Sequence, residues 1–125
     1  LRHTEDFLHT FPKITGIWAA VDIALMGAVD AVQASGIKRK IFMSSASGTQ
    51  GALEMLKKGE IDFDLGEGPI WLGRWSLGTA VKILNGEKPP RTTYVPFPEF
   101  TRENINKWPA MTKSEWAPKG WKIPR

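Results

Sequence analysis

The chain has 125 residues, 42% hydrophobic and 24% charged, the balance of one globular domain large enough for a real core. It has no cysteine, which excludes disulfides, thiolate metal sites and a cysteine nucleophile, and no apolar run approaches the ~20 residues a membrane-spanning helix needs. The net charge is +4, but the basic residues are scattered; Lys38, Arg39 and Lys40 form the one tight cluster, in a turn, so a solvated surface is expected and nucleic acid is not an expected partner.

Residues 1–11 read as a helix, with Leu1, Phe7, Leu8 and Phe11 at roughly helical spacing and Pro12 as its stop. Residues 14–20 are a short apolar run whose β-branched and aromatic content suits a buried strand, and Trp18 within it is expected in the core. Residues 22–35 follow as a second helix. Leu25, Met26, Val29 and Val32 share one face, Asp22 is placed as cap or first-turn acid, and Gly36 is the stop.

Residues 41–45 form the next strand. Ser47, Gly48 and Thr49 make a turn with capping side chains, and residues 51–58 a short helix ended by Gly59. Residues 61–65 are the third strand. Glu60, Asp62 and Asp64 alternate at its entry, which predicts a solvated strand face and not a catalytic pair. Gly66, Glu67, Gly68 and Pro69 then turn the chain. A long helix runs from Pro69 or Ile70 to Leu84, with Asn85-Gly86 at its end, and residues 91–97 read as a last strand. The tail carries Trp108, Trp116 and Trp121, which are expected to dock on the protein's own surface.

This alternation predicts an α/β fold, a parallel sheet with helices on both faces. Ligands of such sheets bind at the carboxyl ends of the strands, so the loops at 20–22, 45–49 and 65–69 are the ones to watch. His3 and His9 are the only histidines and do not share a helical face, so no metal site is expected. No nucleophile elbow, phosphate loop or dinucleotide glycine pattern is present.

Four ordered segments carry a family resemblance: ITGIWAAVDIALMGAVDAVQASGI, IFMSSASGTQGALEMLKKGEID, GPIWLGRWSLGTAVKILNGEKPP and FTRENINKW. Together they resemble the C-terminal portion of the ribose-type branch of the type I periplasmic binding proteins, the substrate-binding components of sugar ABC transporters. The ligand-binding domains of LacI-type transcription repressors are close relatives and stand as the alternative. The resemblance implies a Rossmann-like lobe, incomplete as given. Residues 1–65 would be the later part of the C-terminal lobe and 66–69 a hinge crossover. Residues 70–97 would be a helix and strand of the N-terminal lobe, and 98–125 a crossover and Trp/Pro-rich tail. The chain opens on Leu1, which fits a processed product or a fragment, and a fragment with bare apolar faces is expected to self-associate.

The resemblance also implies a site. Val21 and Asp22 stand where the family has Asn-Asp, Ser47 where it has the Asp of an Asp-Gly-Thr turn, and Glu67 where it has a hinge Gln. Trp71 is placed as an aromatic platform. Each has a plainer reading: Asp22 and Ser47 (or Thr49) as helix caps, Glu67 as a solvated loop acid, Trp71 as lobe packing. The altered grips shift the expected ligand from a plain aldose toward a polyol, an amino or cationic compound, or something bulkier. The implied protein is not an enzyme and needs no cofactor. It is exported to the periplasm, captures a small ligand by hinge closure, and serves a membrane permease.

Overall fold

Three short β-rich stretches pair in parallel, and a fourth closes the edge. The computed structural model describes residues 2–94 and 97–107. Its strands are β1 (Gly16–Trp18), β2 (Phe42–Ser47), β3 (Phe63–Gly66) and β4 (Glu99–Phe100), in the order β1-β2-β3-β4. Around them run α1 (Arg2–Thr10), α2 (Asp22–Ala34), α3 (Gln50–Lys58), α4 (Pro69–Leu84) and a short 3-10 helix at Ile105–Lys107. The expected α/β alternation is observed as far as α4.

Pairing register fixes what faces the core. Ile17 lies opposite Met43, Ser45 opposite Asp64, and Asp64 opposite Phe100. Side chains alternate along a strand, so these residues share one face. On that face Met43 and Phe100 are buried against Leu8 of α1, Leu25, Ala28 and Val29 of α2, and Leu53 and Leu56 of α3. The other face carries Trp18 and Phe42, which are 70% and 51% exposed. The expectation that Trp18 is core is therefore corrected. In a three-residue edge strand, turning Ile17 inward turns Trp18 outward.

The last strand is also corrected. Residues 91–94 and 97 form no strand. Instead Glu99–Phe100 pairs antiparallel with β3, so the mostly parallel sheet gains an antiparallel edge. Pro98 has no N–H to give a ladder, but its carbonyl accepts from Gly66 N–H at 2.9 Å and starts the pairing. Phe100 then supplies a fully buried ring.

The ends of α3 follow local chemistry. The Thr49 side chain caps its first turn by accepting from Ala52 N–H, and Gly59 ends it in the left-handed region at φ 78°. A side chain at Gly59 would also collide with the Arg102 guanidinium. The exposed basic cluster has structural partners: Arg39 donates to the carbonyls of Pro12 and Ile14 at 2.7 and 2.8 Å, and Lys40 pairs with Asp62 at 2.6 Å. Trp108, Trp116 and Trp121 lie outside the described residues.

Candidate functional site

Because β1, β2 and β3 run parallel, their carboxyl ends open on one edge of the sheet. Val21, Ser47 and Glu67 sit at those ends. Val21 is the N-cap residue of α2 and is 46% exposed. Ser47 closes β2 opposite Gly66, and Glu67 N–H donates to the Ser47 carbonyl at 3.4 Å, so these two loops touch. Ser47 has φ 147°, a region that side-chain-bearing residues seldom occupy. Trp71 falls in the first turn of α4, and its side chain lies outside what is described.

Asp22 behaves differently. It is the first residue of α2 and does not cap it; that place belongs to Val21, which offers no side-chain bond. Its carboxylate is 1% exposed. Oδ1 accepts from the Ser45 hydroxyl at 2.8 Å, and Oδ2 accepts from the Thr49 N–H at 2.8 Å and the Thr49 hydroxyl at 2.7 Å. Asp22 thus ties the start of α2 to β2 and to the cap of α3. Both its oxygens are committed inside the protein.

Asp64 lies in register with Ser45, the residue that donates to Asp22, and here the expected solvated strand face is corrected. Asp64 is fully buried, and neither carboxyl oxygen has a hydrogen-bond partner among the described residues. Burial first, then the charge and hydrogen-bonding reach of Asp22, push Asp64 up to about 7. The Gly48 and Leu65 N–H groups pull it down only weakly, short of bonding geometry. Asp62, by contrast, accepts from Met43 N–H at 2.9 Å and pairs with Lys40. Sequence alone does not reveal this: Asp64 faces away from Phe63 and Leu65, and that side of β3 is buried only through its tertiary pairing with Phe100.

Among the described residues, no group of three His, Cys, Asp or Glu side chains is arranged to hold a metal ion, and no helix is long and apolar enough to cross a membrane. A groove of about 430 Å³ between α1 and the end of α2, lined by Leu8, His9, Pro12 and Ile37, contains none of the site residues.

The family described as periplasmic binding protein domain matches residues 1–88. The ribose import binding protein of Haemophilus influenzae is 31% identical over 88 residues, 70% of this chain and 30% of that protein. A putative rhizopine-binding protein of Rhizobium meliloti is 28% identical over 85 residues, 67% of this chain and 28% of that protein. The chain thus spans less than a third of the curated relatives it matches. A periplasmic solute-binding protein of an ABC transporter from Actinobacillus succinogenes, solved with D-allose, superposes with TM-score 0.77 at 28% identity, covering 86% of this chain and 38% of that one. One from Agrobacterium vitis, solved with allitol, gives TM-score 0.76 at 26% identity over 85% of this chain and 38% of that one.

Proposed function

Since the chain belongs to the periplasmic binding protein domain family, we propose that it is part of the solute-binding component of a sugar-type ABC transporter. The observation that carries this reading is the convergence of Val21, Ser47 and Glu67 at the carboxyl ends of three adjacent parallel strands. Relatives named for ribose and rhizopine, or solved with D-allose and allitol, point to a small hydroxyl-bearing ligand.

The residues narrow the class. Ser47 offers a hydroxyl that both donates and accepts, Glu67 a carboxylate that accepts, and Val21 an apolar wall. Trp71 is the stacking candidate. One carboxylate with one hydroxyl suits a polyol or an amino-bearing sugar, whose ammonium Glu67 would pair, better than a plain aldose. Asp22 acts from behind, by holding Thr49. The role is capture and not catalysis, and no cofactor enters it.

Residues 1–65 belong on this reading to the later part of the C-terminal lobe, with 66–69 a crossover, 70–97 in the other lobe, and 98–125 crossing back. Gly68 in the left-handed region at φ 55° and Pro69 at the start of α4 support a sharp change of direction there. The exposure of Leu77 and Leu84 on α4, 68% and 85%, supports a packing partner beyond this chain. Closure about 66–69 would enclose the ligand and present the closed form to a permease at the periplasmic side of the membrane.

The test is a thermal-shift panel on the full-length protein with ribose, D-allose, allitol and an amino sugar. A ligand at 100 times its Kd adds about 2.7 kcal/mol of stability. A raised midpoint with allitol or the amino sugar is the expected result. No shift across the panel would reject the reading, and a DNA-binding helix pair encoded upstream would move it to a LacI-type repressor.

A further inference from the structure

Asp22 and Asp64 are two buried carboxyl groups that share Ser45 as a neighbour, since the Ser45 hydroxyl donates to Asp22 Oδ1 at 2.8 Å and Ser45 lies opposite Asp64 in the β2–β3 register, and their partners are unequal. Asp22 accepts three hydrogen bonds, from Ser45 and Thr49. Asp64 accepts none. Two adjacent carboxylates out of water cannot both carry charge without a large cost, and the one lacking donors is the one that keeps a proton.

No other charge among the described residues relieves Asp64. On β4, Glu99 pairs with Leu65 and so lies on the opposite face of the sheet. On β3's flanks, Asp62 is held by Lys40 and Met43 N–H, and Glu67 stands past the strand end. Asp30 of α2 and Glu54, Lys57 and Lys58 of α3 are exposed, as is Arg74 of α4. Among the described residues, Asp22 is the one charged group that acts on Asp64.

We propose that Asp22 and Asp64 form a one-proton pair that works as a pH-sensitive latch on the Ser47–Thr49 turn. With the proton on Asp64, Asp22 is free of repulsion and holds Thr49 by two bonds, which fixes the turn that carries Ser47. When that proton leaves, two carboxylates face each other. Relief comes by swinging the Asp22 carboxylate away, which gives up its two Thr49 bonds, or by admitting water beside β3, and either loosens the turn. Asp22 and Asp64 are then positioning residues. The idea depends on the proposed ligand reading only for the turn's purpose, and the pair is tested without any ligand.

The experiment follows aspartate carboxyl carbons and the Thr49 amide by NMR in the full chain, between about pH 5 and 9. We expect the Asp64 carbon to titrate near neutrality, about 3 pH units above an ordinary aspartate, and the Thr49 amide to move with the same midpoint. In Asp64→Asn, which keeps the shape of the neutral acid, the Thr49 amide should stay flat over that range. An Asp64 carbon titrating near the ordinary ~4, or a Thr49 titration unchanged in Asp64→Asn, would overturn the proposal. Should Asp64→Asn not fold, the unmutated chain still decides, because unequal midpoints for Asp64 and Thr49 are incompatible with a shared latch.

Discussion

Asp22 and Thr49 are joined twice, since the Thr49 N–H and hydroxyl both donate to the same Asp22 oxygen at 2.8 and 2.7 Å. That oxygen links the first residue of α2 to the cap of α3 across β2. Two helix starts and the turn between them are therefore one mechanical unit, at the edge of the sheet where Val21 and Ser47 sit.

Removing the acceptor should be costly. Asp22→Ala leaves the Ser45 hydroxyl and the Thr49 N–H without partners in a buried place, and stability at neutral pH should fall by about 2–4 kcal/mol. Thr49→Ala, which loses both the cap and a bond to Asp22, should cost about 1–2 kcal/mol. Because the two share a bond, the double variant should lose less than the sum. Urea unfolding measures all three, and strict additivity would show that the shared bond carries little.

Stability should fall as pH rises from about 4 to 7. Asp64 keeps its proton in the folded chain up to about 7, whereas the unfolded chain releases it near 3.8. Between those values the unfolded chain holds fewer protons, so raising pH favours unfolding; above about 7 the contribution levels off. The loss should be on the order of 2–4 kcal/mol, reduced from the ideal by any water that reaches the group. The readout that isolates Asp64 is the difference in thermal midpoint between the unmutated chain and Asp64→Asn at pH 5 and pH 8. The advantage of Asp64→Asn should grow toward pH 8, and an equal difference at both values would remove Asp64 as the cause.

The parts of the fold legible in the sequence are those fixed by local chemistry. Thr49 as a cap, Gly59 as a stop, Pro69 at a helix start and the apolar stripe through Leu25 and Val29 all stand where spacing puts them. What was not legible depends on tertiary pairing. Glu99–Phe100 is a strand of two residues, too short for any periodicity, and exists because Asp64 and Leu65 need a neighbour. Trp18 is apolar in a strand, yet which side of β1 faces the core is decided by Ile17 meeting Met43. At the site, the alternation of elements marks the loops, the family resemblance points within them to Val21, Ser47 and Glu67, and Asp64 escapes notice because alternating acids normally mark solvent.

Trp18 and Phe42 predict association of the 125-residue chain by itself. They share an exposed sheet face, and β1 is an edge strand whose outer side pairs with nothing among the described residues. Bare apolar surface beside a free edge favours self-association. Light scattering should show a mass that rises with concentration, and the double variant Trp18→Ser, Phe42→Ser should shift it toward monomer. A mass that stays monomeric at all concentrations would refute this.

Phe100 tests the antiparallel edge. Its ring is fully buried and packs in the same core as Leu53, Leu56 and Ile105. If β4 is in place, Phe100→Ala opens a cavity under β3 and should cost about 3–5 kcal/mol, while Phe100→Leu, which refills most of it, should cost closer to 1 kcal/mol. Tyr94, by contrast, is 87% exposed, and Tyr94→Ala should change stability by less than about 0.5 kcal/mol. The pair discriminates between a strand at Glu99–Phe100 and one at 91–97, because the latter would bury side chains near Tyr94 and leave Phe100 in a loop. Hydrogen exchange gives the backbone counterpart. The Gly66 amide, bonded to the Pro98 carbonyl at 2.9 Å, should be protected in the unmutated chain and lose protection in Phe100→Ala, since β4 without its ring has only its ladder bonds to hold it.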